Sequence, residues 1–209
     1  MKVGGASNTA LSKRIKKQMN DTLKNIRNGI DYTIFNELKR IMRFTNIFIW
    51  CSKEQILDIL NYWSKENINY EILVWVKTNP TPQTNGTWLP DIEYCLYFRE
   101  KGNKLNYGYE YKSKWYSSAI NKRDKDKYKH PTIKPIELVK RHLQHATQKG
   151  DMVLDCFSGS GTTCVAAKEL ERQFIGIEID PEYHKISLDR LNGVLANGQI
   201  SVFTDINKL

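Results

Sequence analysis

Cysteine is scarce in this chain: four occur in 209 residues, at positions 51, 95, 156 and 164, and no two form a Cys-x-x-Cys pair. That spacing excludes a disulfide framework, and a reduced cytoplasmic protein without a metal is the expectation. Long apolar runs are missing too. No stretch approaches the roughly 20 residues that span a bilayer, and the amino end lacks the apolar core of a secretory signal. There is no internal repeat and no low-complexity linker. Acid is short against base, with 23 Asp and Glu facing 32 Lys and Arg for a formal net charge of +9. At this length the chain can bury a sizeable core, and one α/β domain with a small insertion is the natural count.

The excess of base is unevenly spread. Residues 1–43 hold ten Lys and Arg against three Asp and Glu, and residues 99–129 hold ten against four, while the blocks 44–98 and 130–209 are slightly acidic. Two basic segments around a near-neutral core suit phosphate contacts gathered at a cleft, since each neutralised phosphate releases counterions. A solvated surface is the plainer reading of any single lysine; for the two blocks together, double-stranded DNA is the favoured partner. The second block also carries aromatics. Tyr107, Tyr109 and Tyr111 alternate on one face of an extended segment, ahead of Trp115 and Tyr116, although such a stripe more often packs than touches a base. Residues 121–127 have no apolar period and read as a mobile loop.

The most informative stretch is 151–181, which reads as one βαβ half. Residues 152–157 form a short apolar run, Ser158-Gly159-Ser160-Gly161-Thr162-Thr163 is a tight turn of small residues, and 164–170 has helical spacing. A second strand over 174–179 ends in acid. The glycines let the backbone pass close to a ligand, and Thr162 and Thr163 can cap the helix that faces it. Glu178 is placed to accept hydrogen bonds from ribose hydroxyls, about twenty residues after the turn, as a nucleotide site requires. The third glycine of the dinucleotide fingerprint is absent, which disfavours pyrophosphate and with it a nicotinamide-dependent enzyme. Asp155 at the end of the first strand would repel a phosphate and attract an ammonium group. S-adenosyl-L-methionine has that ammonium and no phosphate.

These residues resemble the amino-group DNA methyltransferases that modify adenine N6 or cytosine N4. Asp155-Cys156-Phe157-Ser158-Gly159-Ser160-Gly161-Thr162 is similar to that family's cofactor loop, and Gly176-Ile177-Glu178-Ile179-Asp180 to its ribose-binding strand end. Upstream, His130-Pro131-Thr132-Ile133-Lys134-Pro135 resembles the segment that crosses the cofactor before a helix. Val74-Trp75-Val76-Lys77-Thr78-Asn79-Pro80, then Trp88-Leu89-Pro90 and Glu93, resembles the strand and loop beside the target-base pocket. The resemblance covers most of residues 45–195, with the base-pocket half ahead of the cofactor half, which is the circularly permuted order of the beta group.

What the resemblance implies is specific. The fold is expected to be α/β, a three-layer doubly wound Rossmann-like sheet, with residues 1–98 as target-base half, 99–129 as a basic insertion in the position of target recognition, and 130–209 as cofactor half. Cofactor contacts are expected from His130, Thr132, Lys134, Asp155, Phe157, Ser158, Gly159, Gly161, Thr162 and Glu178. DNA contacts are expected from Lys77, Asn79, Lys112, Lys114, Lys122, Arg123, Lys125 and Lys127. The Pro-Cys nucleophile of cytosine-C5 chemistry is absent.

One departure is severe. The family carries an acidic or amide residue, two prolines and an aromatic, which hold and stack the target amine because its lone pair is delocalised into the ring. No such tetrapeptide occurs, and no catalytic residue is assigned. Asp180-Pro181-Glu182-Tyr183 lacks the second proline and reads as a helix start. Val3-Gly4-Gly5-Ala6-Ser7 followed by helices fits the context downstream of the catalytic strand, so one strand of the sheet is unaccounted for. Its absence would leave exposed edges for a homodimer or a partner chain to cover. The alternative to an active enzyme is a cofactor- and DNA-binding fragment or subunit.

The scaffold completes the reading. Helices are expected over 9–26, over 32–42 with Ile34, Leu38 and Ile41 inward, and from residue 53 to about 65 with Ser52 as cap. Strands are expected over 47–50, 71–76 and 92–98, a helix over 181–191 and a last strand over 199–203. His142 and His145 read as a helix face, His184 as exposed, and Trp50 and Trp63 as core. Trp75 is either a pocket wall or a packing residue.

Overall fold

The computed structural model describes residues 32–80, 82, 86, 88–106, 112–128, 132–192 and 201–205. The segment 9–26, the tyrosines at 107, 109 and 111, and His130 lie outside them. In chain order the elements are α1 (Ile34–Ile41), β1 (Asn46–Cys51), α2 (Ile56–Trp63), β2 (Ile68–Lys77), β3 (Ile92–Glu100), β4 (Trp115–Ser118), α3 (Lys122–Tyr128) and α4 (Ile136–Ala146). They continue with β5 (Met152–Asp155), α5 (Thr162–Glu169), β6 (Gln173–Glu178), α6 (Pro181–Asn192) and β7 (Ser201–Asp205). The strands form two sheets, one in the order β1-β3-β2-β4 and one in the order β5-β6-β7.

The first sheet is built around β3, which pairs antiparallel with β1 on one side and β2 on the other. Cys95, Leu96, Tyr97 and Phe98 are consecutive and buried, as expected of a strand covered on both faces. The pleat then divides its neighbours by period two. Ile47 and Ile49 of β1 face α1 and α2, where Phe35, Leu38, Ile59 and Trp63 close an apolar core. Phe48 and Trp50 face the other way and stack on His142 of α4, the Phe48 and His142 rings lying 4.7 Å apart and 4° from parallel. β4 runs parallel to β2 with Val74 opposite Trp115 and Lys77 opposite Ser118.

The second sheet is wholly parallel, with Asp155 opposite Gly176 and Glu178 opposite Asp205. Its core joins Val139 and Leu143 of α4, Val153, Cys164 through Ala167, Phe174 and Leu191. The run of small residues on α5 lets that helix lie close to the strands. Among the described residues β1 pairs only with β3, and β5 only with β6. The two sheets nonetheless share apolar contact, because Leu154 and Cys156 pack against the core that holds Ile47 and Cys51.

Several local expectations shift. Phe35 and Leu38 of α1 are buried and Ile34 packs against the same core, as expected for Leu38 and Ile34, whereas Ile41 is 52% exposed. α2 begins at Ile56, and Gln55 accepts the Ser52 N–H at 2.9 Å, so Ser52 supplies a backbone donor and no side-chain cap. Residues 122–128 are helical, with the Asn121 side chain accepting the Asp124 N–H at 3.2 Å and donating to its carboxylate at 2.7 Å. That side-chain ring nucleates a turn which apolar periodicity could not show. His142 and His145 lie on the buried face of α4. Burial, with Arg141 and His145 nearby, pushes the His142 pKa down to about 3, so a neutral imidazole stacks on Phe48. His184 is half-buried.

Trp63 is 1% exposed and meets Phe35 edge-on at 5.4 Å and Phe98 at 5.9 Å. Trp63→Ala should cost about 3–5 kcal/mol of stability, read from urea denaturation; a loss under about 1 kcal/mol would show that α2 is dispensable to this core.

Candidate functional site

The site is built where β5 ends. After Asp155 the chain turns, and the Ser158 N–H donates to the Ile177 carbonyl at 3.0 Å, which fixes the turn against β6. Gly159 and Gly161 have φ of 51° and 75°, the left-handed region that side chains disfavour. A Cβ on Gly161 would meet the Ser187 Cβ at 2.9 Å. Gly161 itself precedes α5 and has no side-chain cap, so Thr162 and Thr163 do not serve the expected capping role.

α6 holds this turn from beneath. The Ser187 hydroxyl donates to the Gly159 carbonyl at 2.6 Å. Arg190, 7% exposed, sends one guanidinium nitrogen to the Ser160 carbonyl at 2.7 Å, the Ser160 hydroxyl at 2.9 Å and the Thr162 hydroxyl at 3.0 Å. Its other face lies 5.0 Å from the Tyr128 ring of α3, with the Asp124 carboxylate 3.9 Å away. α6 starts as expected from its sequence: Asp180 accepts the Glu182 N–H at 2.8 Å and the Tyr183 N–H at 3.3 Å. The sequence reading missed Ser187 and Arg190. Their signal was there in the helical spacing of Tyr183, Ser187, Arg190 and Leu191, one face of α6 on which an arginine would otherwise be read as solvated.

Two carboxylates flank the turn. Glu178 accepts the Gly159 N–H at 2.7 Å with one oxygen and the Asp180 N–H at 2.9 Å with the other, so it is fixed at the glycine turn with lone pairs to spare. Burial pushes the Asp155 carboxyl above the ordinary carboxylate range, against hydrogen bonds from the Thr163 side chain and the Phe157 N–H. A half-buried carboxylate that is costly to ionise alone suits a cationic ligand group. Ser158 and Thr162 are buried in the turn, and Phe157 is 62% exposed beside it.

A second constellation lies at the end of β2. Glu93 bridges Lys77 and Lys134, each at 2.9 Å. Burial raises its pKa, but the two ammonium groups outweigh burial and hold the carboxyl below its usual range. Lys134 also sits 5.0 Å over the Trp50 ring. The segment before α4, which carries Lys134 and the half-buried Thr132, is thereby joined to the strand carrying Lys77. Asn79 accepts the Ile120 N–H at 2.6 Å and so anchors the connection into α3. Trp75 is a packing residue, 2% exposed, donating to the Ser118 hydroxyl at 2.9 Å. Lys114 pairs with Glu71 at 2.5 Å, while Lys112, Lys122 and Lys127 are exposed and Lys125 is half-buried. A cavity of about 210 Å³ lies between the first sheet and α4, with Phe48, Trp50, Tyr97 and Trp115 in its wall. Among the described residues no three His, Cys, Asp or Glu cluster as metal ligands, and no helix is long and apolar enough to cross a membrane.

With this geometry the comparisons agree. The N6/N4 methyltransferase family model, described as DNA methylase, matches residues 14–189, and the chain belongs to that family. It is 38% identical over 132 residues to the type II methyltransferase M2.DpnII of Streptococcus pneumoniae, covering 57% of this chain and 49% of the relative. It is 34% identical over 145 residues to M2.MboI of Moraxella bovis, covering 62% of this chain and 53% of that protein. The chain thus spans about half the length of the curated relatives it matches. Among solved structures, the M1.HpyAVI–SAM complex superposes with a TM-score of 0.63 at 32% identity, covering 70% of this chain and 74% of that one. The Rossmann-like α/β expectation stands.

Gly161→Ala places a side chain in the left-handed region, at about 1–2 kcal/mol, and drives it into Ser187. The variant should melt lower than the parent by several degrees; an unchanged melting temperature would mean that α6 yields freely.

Asp155 gives a pH signature. Its folded pKa is raised, so in the ligand-free protein its contribution to stability is complete below the ordinary aspartate value of 3.8 and is lost as pH rises through the raised value. Asp155→Asn should remove that loss, and the difference in melting temperature between variant and parent should grow with pH across this window. Parallel pH profiles would refute the assignment.

Proposed function

We propose that this chain acts as a DNA methyltransferase that moves a methyl group from S-adenosyl-L-methionine to the exocyclic amine of adenine (N6) or cytosine (N4). The observation that carries the proposal is the left-handed Gly159–Gly161 turn with Asp155 and Glu178 at its mouth. In this reading Asp155 takes the cofactor's ammonium, Glu178 its ribose hydroxyls, and Gly159 and Gly161 allow close approach. Ser158, Thr162 and Phe157 line the pocket, and Thr132, Lys134 and His130 cross over it. The sulfonium supplies the methyl group; the chain's task is to orient cofactor and base and to exclude water. The solved complex of M1.HpyAVI with SAM, similar over 70% of this chain, supports the choice of cofactor.

The half that carries β1 to β3 would present the target base, the segment 99–129 would touch DNA through Lys112, Lys114, Lys122, Arg123, Lys125 and Lys127, and residues 130–209 would hold the cofactor. The name of a relative, the type II methyltransferase M2.DpnII, supports a role in restriction–modification, and a cytoplasmic location is part of the same proposal.

A second reading is favoured by one observation. β1 and β5 are edges of separate sheets among the described residues, and the sequence contains no acidic or amide residue followed by Pro-Pro and an aromatic. The chain would then be a cofactor- and DNA-binding part of such an enzyme, completed by a strand or partner chain against those edges.

Calorimetry tests the shared premise: Asp155→Ala and Glu178→Ala should each weaken S-adenosylmethionine binding by roughly 1.5–3 kcal/mol. Parent-like binding by both variants would overturn the cofactor assignment. Incubation with duplex DNA and labelled cofactor, followed by mass spectrometry of nucleosides, separates the two readings. Transfer to N6 or N4 supports the enzyme. Binding without transfer, with activity gained on adding an amino-terminal segment that supplies the tetrapeptide, supports the second reading.

A further inference from the structure

At the junction of β2, α3 and the segment before α4, two lysines share one carboxylate and a third stands near them. Lys77 and Lys134 each pair with Glu93 at 2.9 Å, and these side chains are only 14%, 21% and 30% exposed in the order Lys77, Lys134, Glu93. Lys125 of α3 is half-buried in the field of the same three groups. Its pKa is lowered, by burial first; Glu93 opposes the shift, while Lys77 and Lys134 add to it. Among the described residues the Lys125 ammonium has no ion pair. Three cations against one anion leave an uncompensated excess where water screens poorly, an arrangement that costs stability unless a further anion arrives.

The backbone holds this arrangement in place. The Thr78 N–H donates to the Ser118 carbonyl at 3.0 Å, the Asn79 side chain accepts the Ile120 N–H at 2.6 Å, and Asn121 closes its ring on Asp124. α3 is therefore fixed beside the end of β2, and Lys125 cannot simply swing away with a loop. Lys122 and Lys127, on the same short helix, are exposed. A single small anion would leave them unused, whereas a polyanion running along α3 gains from all of them.

We propose that Lys125, with Lys77 and Lys134, forms a subsite for one phosphodiester group of the DNA strand, and that Glu93 holds two of these lysines together until the phosphate takes its place among them. This deepens the proposed action on DNA and rests on it.

Fluorescence anisotropy with a labelled duplex over a salt series tests the subsite, with a melting temperature recorded for each variant. Lys125→Ala should weaken binding and reduce the slope of log K against log salt by about 0.9, and Lys125→Arg should restore it. Lys149→Ala, a loss of the same charge at a 70% exposed side chain paired with Glu171, should leave the slope as in the parent. Glu93→Gln should tighten duplex binding roughly two- to fivefold at low salt. A slope unaltered in Lys125→Ala, or altered equally in Lys149→Ala, overturns the subsite even if Glu93→Gln fails to fold. A folded Glu93→Gln that binds no tighter than the parent overturns the role of Glu93. If Lys125→Ala instead weakens S-adenosylmethionine binding and leaves duplex binding intact, the anion is the cofactor's carboxylate and the proposal falls. A parent that binds S-adenosylmethionine but shows no dependence on Lys125 sinks the subsite alone; a parent that binds neither ligand sinks the methyltransferase reading with it.

Discussion

A guanidinium taken almost wholly out of water needs polar partners, and Arg190 finds them under the glycine turn through one of its nitrogens, with the Tyr128 ring and the Asp124 carboxylate beside it. Its bonds to the Ser160 carbonyl and to the Ser160 and Thr162 hydroxyls fix the turn between β5 and α5. Its contact with Tyr128 and Asp124 sets α3 against the same helix. The left-handed glycines and the hydrogen bond from Gly159 to Glu178 belong to the turn that this buried cation supports. Burial lowers its pKa and the Asp124 carboxylate works against that shift, so the charge persists. The tie is steric as well as electrostatic, since Ser187 on the same helix fills the space over Gly161.

Between the two sheets the joining forces are of another kind. No strand pairing links β1 to β5 among the described residues, and the halves meet through apolar packing of Leu154 and Cys156, through the Phe48 and His142 stack, and through Glu93 with its two lysines. Apolar contact is non-directional and tolerates small adjustments of one half against the other. The ion bridge is directional and joins β2 and β3 to the segment before α4.

α3 shows how far local pattern reaches. Its sequence of alternating charges lacks any apolar stripe, which is why it reads as a loop, and yet it is helical. The Asn121 ring satisfies its first turn, Asn79 and Thr78 hold its entry, and Arg190 with Tyr128 holds its exit. The histidines of α4 illustrate the converse. Polar residues at helical spacing suggest a wet face, but the pleat of β1 turns Phe48 and Trp50 toward them and the imidazoles are buried. In both cases the deciding partner lies far away in the sequence.

The sequence by itself determined the βαβ cofactor half, because a strand, a glycine turn, a helix and a strand ending in acid are encoded by neighbours within about thirty residues. It also determined the helix start at Asp180, the packing role of Trp63 and the family resemblance that the match over residues 14–189 bears out. Tertiary structure alone decided that Arg190 and Ser187 support the turn, that Lys77 is engaged with Glu93 and Lys134, and that β4 pairs parallel to β2. Periodicity and turn chemistry report on residues that are close along the chain, whereas a buried charge finds its partners only once distant elements have packed around it.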